Sequence, residues 1–241
     1  MNHTRQIKTF IGAMTLAAVG VAGYAAFANH VLHAYFALAV LALAATTSRM
    51  KVKLPGINGN MSMNLPFLLT AVVSLSSAEA VAIACASTAV QCWPRKSAKF
   101  NPQQTLFNLS MMAFASSTAS LMFHAGSLSP IWHSNPLGLV LATATMFLGQ
   151  TVPVAGIVAV SEGKTAAQVW LSLAQLSFPY YVVSVGVTSM VQAMSSHLGW
   201  GLALAVFPVM YAIHRSYKLY FSGLAESLKP EALVRTAAAG A

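Results

Sequence analysis

Long apolar runs alternate with short polar or basic gaps along the whole chain. None shows the sustained two-residue alternation of strands in a membrane barrel. The first run, Phe10 to Phe27, follows Arg5 and Lys8 and approaches the ~20 residues a span needs. Its charged start and Ala26-Phe27-Ala28 look like a secretory signal, but its length favours a retained first helix. Asn29 to His33 predicts a turn, and a second helix ends near Ser48. RMKVKLPGINGN then reads as a loop punctuated by Pro55, Gly56 and Gly59.

The stretch Met61 to Trp93 decides the topology. As one helix it would be ~50 Å long, well beyond the ~30 Å hydrocarbon core. Folded back on itself it gives two short helices, Ser62–Leu75 and Ala78–Cys92. Ser76-Ser77-Ala78-Glu79 then becomes a capping box that opens the second. Asn101-Pro102-Gln103-Gln104 predicts the next start, with Asn as N-cap and Pro at the first helical position, and that helix runs to about His124. After a loop from Ala125, Asn135-Pro136 repeats the signal and the run reaches Val160. Thr165-x-x-Gln168 caps a helix to about Met194 with a kink expected at Pro179, and a last span after Gly199 reaches about Tyr220, with Pro208 inside it. The prediction is an all-α polytopic transmembrane bundle of about eight helices. Residues 1–224 form the membrane domain and 225–241 a short tail.

Charge supports the fold-back. All 13 Lys and Arg fall on one side of this arrangement, whereas a single helix would move the eight from Arg95 onward to the other. The positive-inside rule makes the basic side cytoplasmic, with both termini there, and the location a cell inner membrane. Composition agrees: 57% of the residues are hydrophobic, 7% are charged and mean hydropathy is +0.67. So little charge cannot cover a soluble surface. The net charge of +9 sits between apolar runs, where it meets anionic lipid rather than nucleic acid. Cys85 and Cys92, on one helix, predict neither a disulfide nor a zinc site.

Few residues offer chemistry. The chain has no Asp, so Ser-His-Asp catalysis has no basis, and phosphate-loop and dinucleotide fingerprints are absent. No enzyme activity and no cofactor is expected. Glu79 is the one acid expected below the membrane surface, either as a ligand or proton site or simply as the capping-box carboxylate. Five histidines, His30, His33, His124, His133 and His197, map to the outer side. His30 and His33 are the nearest approach to a metal pair, although interfacial histidines commonly bond headgroups or water. Gln150, Gln168, Gln175, Tyr180, Tyr181 and Gln192 place polar groups on two late helices, for a polar cavity or for interhelical hydrogen bonds. The ligand-binding candidates are Glu79, Ser76, Asn108, His124, Gln150, Gln175 and Tyr180, with a pocket expected near the Ser76–Glu79 turn.

From Arg49 to Leu224 the chain resembles the multi-span sensor region found ahead of bacterial HD-GYP phosphodiesterase and GGDEF cyclase domains. KVKLPG, SMNLPFLLTAVVSL, SSAEAVAIA, LFNLSMMAFASSTASLMFH and GWGLALAVFPVMYAIHRSYKLYFSGL carry the likeness in their order. It departs from the family at Gln150, where Asn is frequent. It departs again after Leu224, where AESLKPEALVRTAAAGA has no His-Asp pair and no glycine-rich acidic loop. The resemblance implies a receptor-like sensor of a small molecule that acts through a cytoplasmic signalling partner, with no catalytic residue carried over. LPG, the short hairpin and the small residues also resemble, more weakly, the solute-binding subunits of energy-coupling-factor transporters, which need a cytoplasmic coupling protein.

Overall fold

A computed structural model describes residues 3–28, 32–53, 60–94, 100–124, 135–198, 206 and 208–224. They form an all-α bundle with one small ribbon. The helices are α1 (His3–Ala28), α2 (Ala34–Ser48), α3 (Leu65–Ser74), α4 (Ser77–Cys92), α5 (Pro102–His124), α6 (Asn135–Glu162) and α7 (Ala166–Leu198), with α8 over 208–224. Four of them, α1, α5, α6 and α7, are long and apolar enough to cross a membrane. The chain is therefore a helical membrane protein. Its exposed apolar side chains, such as Leu16, Phe27, Tyr35, Phe178 and Met190, form the surface that lipid covers.

The fold-back is present. α3 ends at Ser74, the following Leu75 is extended (φ −122°, ψ 169°), and α4 starts at Ser77. α3 has ten residues, about 15 Å of helix, or half the hydrocarbon core. Nine of those ten are buried, because α2, α4, α5, α6 and α7 all pack around it. This is why α3 reads as apolar on every side: it has no lipid face.

The sequence reading placed the start of α3 at Ser62 and expected residues 49–60 to be loop only. Instead, β1 (Lys51–Lys53) pairs antiparallel with β2 (Asn60–Ser62), Val52 opposite Met61, and Pro66 sits in the first turn of a helix that begins three residues later than expected. Proline is well placed there, since the first-turn N–H groups have no helical partner. Residues 54–59 lie outside the described residues. The Asn101 cap is formed as expected, with Oδ1 accepting from Gln104 N at 3.2 Å. α7 runs through Pro179 as one element. α6 stops at Gly163, whose φ of 66° lets Lys164 N reach back to the Ala159 carbonyl.

Small residues set the helix spacing. A Cβ on Gly149 of α6 would lie 3.0 Å from Ala115 Cβ and 3.1 Å from Ala115 Cα of α5. Nearby, Thr15 of α1 and Ser110 of α5 share a hydroxyl hydrogen bond at 3.0 Å. Close backbone approach and side-chain hydrogen bonds hold helices together where lipid removes the hydrophobic drive. Gly149→Ala should therefore lower stability in detergent by about 1–3 kcal/mol through overpacking. Gly186→Ala, with nothing within 4 Å, should leave it unchanged or slightly raised. Thermal unfolding of the two variants checks this, and equal behaviour would refute close packing at Gly149.

Candidate functional site

The candidate residues separate into two groups at different levels of the bundle. The first surrounds the α3–α4 turn. Ser76 caps α4, its Oγ accepting from Glu79 N at 3.3 Å. Glu79 is buried and returns the bond, its Oε2 accepting from Ser76 N at 3.1 Å and Ser76 Oγ at 2.8 Å. The other carboxylate oxygen, Oε1, accepts from His33 N at 2.7 Å, just ahead of α2. One side chain thus serves the starts of two helices, whose positive dipole ends favour a negative charge. The opposite side of the break is also satisfied. Ending α3 at this point denies Val72 its usual helical donor, because Ser76 N is committed to Glu79, and His124 Nε2 lies 3.2 Å from the Val72 carbonyl. Ser77 and Ser120 share a hydroxyl bond at 2.8 Å.

This group is a structural joint built from hydrogen bonds within the chain. Glu79, Ser76 and His124 are engaged there in holding the backbone reversal. His33 contributes its backbone N–H, and His30 lies outside the described residues. Among the described residues no three His, Cys or Glu side chains gather as a metal set.

The second group lines a cavity of about 820 Å³ that runs from the basic end of the bundle into its middle. Ile7 of α1, Lys51 of the ribbon, Gln91 near the end of α4, Asn101 ahead of α5 and Ser161 near the end of α6 all border it, which places these termini at one end. Along α6 it extends from Ser161 to Gln150, about 16 Å at the helical rise. Asn108, Gln150 and Tyr180 line it, together with Tyr181, Thr151 and Ser177. Gln175, five residues before Tyr180 on α7, is exposed on the outer surface and does not.

The polar groups in the deeper part are specifically paired. Tyr181 OH donates to Gln150 Oε1 at 2.9 Å, and the Tyr181 ring packs edge-on against Phe147 with centroids 4.9 Å apart. Tyr180 OH accepts from Leu65 N at 3.2 Å, satisfying a first-turn N–H of α3. Trp170 Nε1 donates to Thr151 Oγ1 at 3.1 Å. At the mouth, Lys51 Nζ donates to the Gln91 carbonyl at 2.7 Å near the negative end of α4, and Asn108 Nδ2 approaches Cys92 Sγ at 3.4 Å. Gln150 Nε2 is buried and has no hydrogen-bond partner. Sequence reasoning nominated Gln150 but passed over Lys51, Thr151 and Ser177, since nothing in their neighbours marks them as cavity-facing.

Models of known families, curated proteins and solved structures give no match to this chain. What defines it is the class: a helical membrane protein with a short buried hairpin and an internal cavity at its basic end.

Glu79→Ala should strip partners from the His33 and Ser76 N–H groups and cost about 2–4 kcal/mol, each buried unpaired donor costing ~1–3. Ser76→Ala should cost about 1 kcal/mol as a lost cap. Unfolding of the purified variants measures both. A Glu79→Ala protein as stable as the parent would show that the carboxylate does not hold the joint.

Proposed function

We propose that this chain is a non-enzymatic, multi-pass protein of the bacterial inner membrane. It binds a small molecule in the cavity between the ribbon and α1, α3, α4, α5, α6 and α7, and signals to a cytoplasmic partner through α8 and the tail. The observation that carries this reading is the cavity itself. At about 820 Å³ it falls in the ~300–1,000 Å³ range of small-molecule sites, and its wall mixes polar groups from several elements with apolar side chains.

Three features support the rest. The likeness of residues 49–224 to sensor regions supports a receptor rather than a structural role. The clustering of Lys and Arg supports a cytoplasmic orientation for the basic end. The seat of α8 supports a route outward: Tyr217 of α8 packs on Tyr180, a cavity-lining residue, with ring centroids 6.0 Å apart. The site moves, in this proposal, from the Ser76–Glu79 turn to the cavity, because the turn's polar atoms already serve the backbone.

Native mass spectrometry of the protein extracted in nanodiscs should retain a non-lipid small molecule, and Val154→Trp, which fills the cavity, should lose it. Retention by the filled variant would place the molecule elsewhere. In a Cys85→Ala, Cys92→Ala background, cysteine at Phe100 should react only with reagents admitted to the cytoplasm, and cysteine at Leu32 with an external, impermeant one. The reverse pattern would invert the proteins' orientation in the membrane. Removing 225–241 should leave binding intact, since Tyr217 and Phe221 stay in place, but should give cells the transcript profile of a strain lacking the protein. Solute uptake with no such change in transcripts would instead favour a transporter subunit.

A further inference from the structure

We infer that the cavity takes an uncharged amphipathic molecule that presents a hydrogen-bond acceptor, a carbonyl or equivalent oxygen, to Gln150 Nε2. This deepens the reading of the cavity as the binding site and rests on it.

The first argument is an inventory of free valences around Gln150. Thr151 Oγ1 donates to the Phe147 carbonyl at 2.7 Å and accepts from Trp170. Ser177 Oγ donates to the Leu173 carbonyl at 2.7 Å, and Tyr181 OH donates to Gln150 Oε1. These donors are used within the protein; Tyr180 OH accepts from Leu65 N and keeps its own proton, and the two N–H bonds of Gln150 Nε2, an atom that is buried, have no partner at all. Turning the amide over would be worse. Tyr181 OH would then accept, leaving both its own proton and Gln150 Oε1 without partners. The Tyr181 bond therefore fixes the amide with its donor end unsatisfied, and a buried unpaired donor costs ~1–3 kcal/mol until an acceptor meets it.

The second argument concerns charge. Among the described residues the lining contains no acid, and Lys51 is its one charged side chain. Lys51 sits on the ribbon at the mouth, with its Nζ on the Gln91 carbonyl. The wall around Gln150 is apolar or neutral, built from Val154, Leu173 and the two tyrosines. An ion there would be desolvated without a partner, which strongly disfavours it. A neutral head at Gln150 with an apolar body along Leu68, Met111 and Met112 meets no such penalty.

Three ten-carbon probes test this with the full chain in nanodiscs: decan-2-one with a carbon-13 carbonyl, decanoate and decylammonium. Decan-2-one should bind saturably and at least tenfold more tightly than either ion. Its carbonyl infrared band should fall below its position in lipid alone. Gln150→Leu should weaken decan-2-one at least tenfold and return the band toward the lipid value, and Gln150→Met, which keeps the side-chain length, should do the same. Val154→Trp should abolish saturable binding. Tighter binding of either ion, or a band unaffected in both Gln150 variants, would overturn the ligand class while leaving the cavity as a site. No saturable binding of any probe, or binding unchanged by Val154→Trp, would overturn the cavity itself.

Discussion

A polypeptide that reverses direction while buried among apolar helices must satisfy its own backbone, because water does not reach it. Here that requirement falls largely on one carboxylate. Glu79 takes the N–H of Ser76 and of His33, and so closes the start of α4 and the approach to α2 together. His124 attends to a carbonyl freed where α3 stops. Without these bonds α3 would stop after about 15 Å with buried N–H and C=O groups left unpaired. The length of α3, its burial on all sides and the return of α4 to the basic end follow from that joint.

With α3 held in the centre, the long helices must come close without bulky contacts. Ala115 against Gly149 does this between α5 and α6, while Gly156 of α6 leaves room for the Phe10 ring of α1. Ser116 and Ser117 of α5 fold their hydroxyls back onto carbonyls of their own helix, at 2.7 and 2.6 Å, so they present little volume and no free proton. The hairpin accounts for the cavity as well. α3 begins inside the bundle rather than at its edge, and its first-turn N–H is met by Tyr180 from α7. The room between this recessed start and the ends of α5 and α6 is what the ribbon and Lys51 border.

Much of the fold was legible from local chemistry. Ser76-x-x-Glu79 and Asn101-Pro102 announce helix starts within four residues of sequence, and both caps form as their spacing requires. The ribbon was not legible, since three residues a strand give too short an alternation to stand out, and the Gly- and Pro-rich text between them reads equally as loop. The candidate site was legible only in part. Gln150 and Gln175 look alike in sequence, yet one meets Tyr181 inside the bundle and the other faces outward. Only the rotation of α6 and α7 against each other separates them, and an α7 with apolar residues all round carries no periodicity to reveal it. Glu79 misled for the opposite reason: a lone acid in apolar sequence suggests a ligand, and its partners turn out to be backbone groups from two distant segments.

Neighbouring residues at the middle of α7 tie the interior together. Tyr180 reaches the start of α3 through its hydroxyl and α8 through its ring, while Tyr181 reaches Gln150 of α6. Both line the cavity. In the proposed receptor, whatever fills that space therefore touches the surface on which α8 is seated. Contact alone does not make a signal, because a molecule bound equally well for either placement of α8 shifts no population. The tyrosine pair gives the differential a physical place, since Tyr180 borders the cavity and its ring is also the one that Tyr217 packs against.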